Sequence, residues 1–200
     1  MTKVIGIDLG TTFSAIASLD DLGNPEVHPS IEDNRRITAS AVFVDGKDVI
    51  VGDKALNFTL EKPKQVITFA KRQMENDVVF SISQGNWIDK KDGSSEDLTP
   101  AQVSSLILKK LKDYTSDVKK AVITVPAMFA EKARKATIEA ANLAGIEVIE
   151  LINEPTAAVL HYASLPGVQI GGRVMIYDLG GGTFDVTIAE VKNKKVDVIT

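Results

Sequence analysis

Cysteine is absent from this 200-residue chain, which excludes a disulfide framework and any thiolate-bound metal. Tryptophan occurs once and histidine twice, and His28 and His161 are too far apart to offer the paired ligand spacing of a zinc site. No apolar run approaches the ~20 residues that a membrane-crossing helix needs. The opening run Val4-Ile5-Gly6-Ile7 is shorter than the apolar core of a secretory leader. The formal charge of −4 provides no net basic field, which argues against a non-specific nucleic-acid binder. A cytoplasmic location is therefore expected, with no membrane or nucleic acid among the partners. What is present, 44% apolar and 25% charged residues, is the balance of a globular protein with one ordinary domain or two small ones.

Val4–Leu9 and Phe13–Leu19 read as two strands around the turn Gly10-Thr11-Thr12. Ala41–Val44 and Val49–Val51 flank Asp45-Gly46, a hairpin signal. Residues 84–97 are polar and read as a loop. Thr99-Pro100-Ala101-Gln102 announces a helix. It offers a capping hydroxyl, proline at the first helical position and a glutamine able to close a capping box. Lys120–Val125, Ala130–Ala144 and Ile146–Ile152 read as strand, helix and strand. Pro126 ends the first, and Gly145 suits the position just past the helix. A crossover of this length implies parallel strands. A further helix is expected from Pro155 to about Tyr162, and helices overall over 101–113, 130–144 and 155–162. Val174–Tyr177, Phe184–Val191 and Lys195–Ile199 read as strands. The last has no closing element, so a partner strand and a longer natural chain are expected.

The most informative feature is a repeat. Ile5-Gly6-Ile7-Asp8-Leu9-Gly10-Thr11-Thr12 returns as Met175-Ile176-Tyr177-Asp178-Leu179-Gly180-Gly181-Gly182-Thr183. In each copy an apolar strand ends in aspartate, glycines turn the chain, hydroxyls follow, and a second strand begins. Glycine permits positive φ and lets backbone N–H groups approach an anion closely. Threonine hydroxyls add neutral donors. An aspartate repels phosphate unless a hard cation lies between them, and Mg²⁺ binds one or two carboxylates, phosphate oxygens and water. One such turn is an ordinary β-hairpin. Two, facing each other, would grip a di- or triphosphate around a metal. There is no Gly-Lys-Ser/Thr loop and no G-x-G-x-x-G opening a helix, so neither familiar nucleotide loop applies.

These residues resemble a known family. Ile7-Asp8-Leu9-Gly10-Thr11-Thr12-Phe13-Ser14 is similar to the first phosphate motif of the DnaK-type (seventy-kilodalton heat-shock) chaperones. Asp178–Val186 is similar to their second motif. Val122–Ala127, Ile152–Ala158 and Phe69-Ala70-Lys71-Arg72 match further segments of the family. Asn34, Ala39 and Gln73-Met74-Glu75 depart from its pattern and leave the phosphate motifs intact.

The resemblance implies an α/β, actin-like (ribonuclease-H-like) ATPase fold, of which only the first lobe is expected here. It implies a central mixed sheet of about five strands carrying both phosphate hairpins, flanked by helices. Residues 1–35 and 100–200 would form this core subdomain, and 36–99 a smaller α/β subdomain above it. The second lobe and the peptide-binding domain would lie outside the chain. Lys71, Glu154 and Asp178 are implied as catalytic. Gly10, Thr11, Thr12, Gly180, Gly181, Gly182 and Thr183 would contact ATP or ADP phosphates. Asp8 and Asp178 would hold Mg²⁺ through its water shell, and Asp8 and Asp185 would help hold K⁺. Pro126 and Arg134 match a pair that passes nucleotide state to the peptide-binding domain. The implied function is slow ATP hydrolysis timing the binding of unfolded peptides in stress-response protein folding. Partners of the full-length protein would include a J-domain co-chaperone and a nucleotide-exchange factor. This half of the cleft alone is expected to hydrolyse ATP poorly. A small-molecule kinase of the same fold and a non-hydrolysing, nucleotide-dependent scaffold are the alternatives.

Overall fold

A computed structural model describes residues 4–181, 184–192 and 195–199. The first five strands are β1 (Val4–Asp8), β2 (Phe13–Leu19), β3 (Pro25–Val27), β4 (Thr38–Ala39) and β5 (Ala41–Asp45). There follow β6 (Asp48–Val51), the short helix α1 (Asp53–Leu56), β7 (Val66–Thr68), β8 (Val78–Ser81) and β9 (Asn86–Asp89). The remainder comprises α2 (Pro100–Lys112), β10 (Lys120–Val125), α3 (Glu131–Leu143), β11 (Glu147–Asn153), α4 (Glu154–Ser164), β12 (Gly172–Leu179), β13 (Phe184–Lys192) and β14 (Lys195–Val198).

The principal sheet is mixed and six-stranded. Its order is β11-β10-β1-β2-β3, with β4 also paired to β2. β1 and β10 run parallel, as do β10 and β11 on either side of α3, while β1 and β2 are antiparallel. Alternation along β10 buries Ala121, Ile123 and Val125, which join Ile5, Ile7 and Ile16 in the core. Val103, Ile107, Leu108 and Leu111 of α2 and Ala133, Ala140 and Ala141 of α3 also belong to this core. Both caps behave as their residues dictate. Thr99 and Gln102 form a reciprocal capping box, with bonds of 3.1 and 2.8 Å. Gly145, at φ 69°, closes α3 in a Schellman motif in which Ile146 N–H reaches the Ala141 carbonyl.

The two phosphate hairpins do not share one sheet, contrary to expectation. β12, β13 and β14 form a separate three-stranded sheet. The reason lies in α4. It begins with Glu154-Pro155 directly at the end of β11 and contacts β10 and β11 of one sheet and β12 and β14 of the other. The chain leaving it starts a second layer instead of extending the first. The chain thus reaches past a single-sheet lobe. The new sheet buries Thr187, Ala189 and Val191 on one face. On the other, the cross-strand pairs Met175–Ile188, Tyr177–Val186 and Leu179–Phe184 are exposed.

Residues 84–97 are not simply a loop. β9 pairs with β8, Gly85 makes the turn at φ 73°, and Trp87 meets Phe80 edge-on at 5.5 Å. Of the other strands between 36 and 99, β4 pairs with β2 of the principal sheet, and β6, β5 and β7 form a second small sheet in the order β6-β5-β7. No helix among the described residues is long and apolar enough to cross a membrane.

Candidate functional site

The first bend, between β1 and β2, is tight. A Cβ on Gly10 would lie 2.0 Å from the Phe13 carbonyl oxygen, so only glycine fits. Thr12 turns its side chain toward the second bend. A Cβ added to Gly181 would lie 2.6 Å from Thr12 Oγ1. The two glycine-bearing bends therefore meet. Among the described residues, Thr12 Oγ1 is also buried without a hydrogen-bond partner. A buried hydroxyl without a partner is unfavourable by about 1–3 kcal/mol, and a ligand oxygen is one group that could satisfy it. These residues fit a phosphate group.

Asp8 ends β1, and its Oδ1 accepts a hydrogen bond from Thr124 Oγ1 at 2.7 Å. Asp178 stands opposite Asp185 in the β12–β13 ladder. A cleft of about 290 Å³ is lined by Pro126, Met128, Glu154, Pro155, Asp178 and Asp185, among others. Among the described residues no three histidine or carboxylate side chains converge to hold a metal directly. Asp8 and Asp178 are carboxylates of the kind that could hold a cation through its water shell.

Lys71 and Glu154 form an ion pair in which the lysine is buried and the glutamate half-buried, with side-chain exposures of 6% and 19%. Phe69, in the left-handed conformation at φ 57°, starts the 3₁₀ turn Ala70–Gln73 that carries the lysine. The ammonium also lies 5.9 Å from the Phe129 ring centroid. Burial pushes the Glu154 carboxyl above the usual glutamate range. The negative charges of Asp8 and Asp178 act in the same direction, and Lys71 opposes them. Both aspartates therefore lie close enough to act on Glu154.

Arg134, in α3, binds the two segments that flank this cleft. Its Nε donates to the Phe129 carbonyl at 3.0 Å and its Nη2 to Asn153 Oδ1 at 2.6 Å. Asn153 immediately precedes Glu154, and Phe129 lies three residues after Pro126. The structure thus brings together Lys71, Glu154, Asp178, Asp185 and Pro126, with Arg134 behind them. Gly10, Thr11 and Thr12 form the facing bend with Gly180 and Gly181. Gly182 and Thr183 lie outside the described residues.

Sequence reasoning missed Thr124, Asn153, Ser14 and Ser40. Ser14 carried a signal: it occupies an inward position of β2, two residues before the buried Ile16, where a hydroxyl needs a partner. Ser40 carried none, because the residues it binds lie some thirty positions upstream.

Two facing bends, paired aspartates and the Lys71–Glu154 ion pair thus lie together where the two sheets meet. The chain belongs to the Hsp70 family, whose model, described as Hsp70 protein, matches residues 4–200. It is 40% identical over 204 residues to the chaperone protein DnaK of Thermotoga petrophila (strain ATCC BAA-488 / DSM 13995 / JCM 10881 / RKU-1), covering 98% of this chain and 32% of the relative. The same values hold for the chaperone protein DnaK of Thermotoga maritima (strain ATCC 43589 / DSM 3109 / JCM 10099 / NBRC 100826 / MSB8) and of Thermotoga neapolitana (strain ATCC 49049 / DSM 4359 / NBRC 107923 / NS-E). The chain spans about a third of the length of these relatives.

Proposed function

We propose that this chain is part of the ATP-binding and slowly ATP-hydrolysing domain of a chaperone. The observation that carries the reading is the meeting of the two glycine-bearing bends at the buried Thr12 hydroxyl, which has no hydrogen-bond partner among the described residues. The ATP phosphates would be held by Thr11, Thr12, Thr183 and the backbone of Gly10 and Gly180–Gly182. Mg²⁺ would be held through water by Asp8 and Asp178, with Asp8 and Asp185 contributing to a K⁺ site. When bound, the metal supplies neutralising charge to the phosphate oxygens.

This chain's own side chains do the positioning. Lys71 brings a buried positive charge to the cleft. Glu154, held by Lys71 and with its proton affinity raised, orients the attacking water. Arg134 fixes Glu154 through Asn153 and the Pro126 segment through the Phe129 carbonyl. It is a positioning residue, and it provides a route from nucleotide state to a peptide-binding region elsewhere in the protein.

The reading includes a core unit of residues 1–35 and 100–200 and an upper unit of 36–99, supported by the separate small sheets of the latter. The bare apolar face of β12 and β13 and the length of the relatives support a longer protein that completes the cleft. Unfolded peptides, a J-domain protein and an exchange factor are its partners in this reading, in the cytoplasm. Family membership disfavours a small-molecule kinase.

Single-turnover hydrolysis of MgATP by the full-length protein tests the assignment. Lys71→Ala and Asp178→Ala should each lose hydrolysis. Wild-type rates in either would overturn it, and tight binding without turnover in the unmodified protein would mark a non-hydrolysing scaffold.

A further inference from the structure

We propose that Ser40 is a positioning residue for nucleotide phosphate, fixing the shape of the Gly10–Thr12 bend from outside it. The inference rests on the phosphate reading above and adds a residue for which no ligand contact is assigned.

Ser40 Oγ donates to the Gly10 carbonyl at 2.8 Å. Its proton is thereby committed. In the 2.9 Å contact between the Ser14 and Ser40 hydroxyls, Ser14 must then be the donor. Ser14 Oγ in turn accepts from Gly10 N–H at 3.1 Å. The circuit closes with each hydroxyl proton used once. Ser14 and Ser40 are 1% and 6% exposed, so bulk water has little access to replace either partner. Separately, the backbone N–H of Ser40 donates to the Thr12 carbonyl at 2.8 Å.

One residue thus holds two carbonyls of the bend. A planar trans peptide points its N–H opposite to its C=O. The Gly10 carbonyl shares its plane with Thr11 N–H, and the Thr12 carbonyl with Phe13 N–H. By holding both carbonyls, Ser40 turns both amides away from itself. The Thr12 hydroxyl, without a partner among the described residues, belongs to the same bend. The second bend lacks this device in sequence: where Phe13 is followed by Ser14, Phe184 is followed by Asp185. The first bend is held by a distant serine.

The test uses the full-length protein and two readouts. Hydrogen exchange of the nucleotide-free protein reports the bend directly. Titration calorimetry with MgATP, with adenosine as the phosphate-free control, reports its effect on binding. Ser40→Ala should speed exchange over residues 10–14 and weaken MgATP about tenfold, equivalent to ~1.4 kcal/mol, with adenosine unchanged. Ser40→Thr, which keeps the hydroxyl, should recover most of both. Ser14→Ala spares both Ser40 bonds and should weaken MgATP less. If Ser40→Ala does not fold, Ser14→Ala must still accelerate exchange at Gly10, whose amide loses its acceptor. Unchanged exchange over 10–14, or equal weakening of MgATP and adenosine, overturns the inference alone. A wild-type protein that binds no MgATP overturns the phosphate reading and this inference with it.

Discussion

Replacing Lys71 with methionine isolates the ion pair. The aliphatic stem is largely kept, the ammonium is lost, and Glu154 is left near Asp8 and Asp178 without its partner. The carboxyl can then stay ionised in a half-buried setting or take up a proton, and the less unfavourable choice sets the loss. A free glutamate titrates at about 4.3, and each unit between pKa and pH corresponds to ~1.36 kcal/mol. Protonation therefore limits the loss to about 3.7 kcal/mol at pH 7 and about 1 kcal/mol at pH 5. A carboxyl whose pKa is raised by folding contributes fully below its unfolded pKa. It loses that contribution as pH rises through the folded value. The Lys71→Met deficit must therefore grow from pH 5 to pH 7. Urea unfolding followed by circular dichroism at both values measures it. The Lys71→Met/Glu154→Gln double variant, which removes both charges, should recover most of the deficit. An equal loss at both pH values, or a double variant no more stable than the single, would refute the reasoning.

A carboxyl-detected NMR titration of Glu154 should give a midpoint above that of an exposed glutamate. Asp8→Asn should bring it down by removing a neighbouring negative charge, and Lys71→Met should raise it further; an ordinary midpoint contradicts the burial. Thr99→Ala removes the hydroxyl half of the capping box on α2 and should lower unfolding free energy by about 1 kcal/mol. A loss below a few tenths in denaturant titration would show that Gln102 and Pro100 suffice to start the helix.

Local chemistry was legible wherever it sat within one stretch of chain. Thr99-Pro100-Ala101-Gln102 and Gly145 named their helix ends, and Lys120–Ile152 declared a parallel crossover that the ladder reproduces. The repeat around Asp8 and Asp178 pointed to two facing bends. What could not be read is pairing at a distance. Strand patterns show which residues face inward but not which edges meet, so the division into two sheets at α4 was invisible. Trp87 and Ile88 stand in an otherwise polar stretch, and the Trp87 partner Phe80 belongs to another strand, so β9 read as loop. Lys71 offered no sign of burial because Glu154 lies 83 positions away.

Ala130, just before α3, has no side chain that can cap the helix, but its own amide is tied to a remote segment, donating to Glu75 Oε1 at 2.9 Å. The residue that leads into α3 is thus anchored to the 3₁₀ turn region that also carries Lys71, one turn ahead of the Arg134 that reaches Asn153.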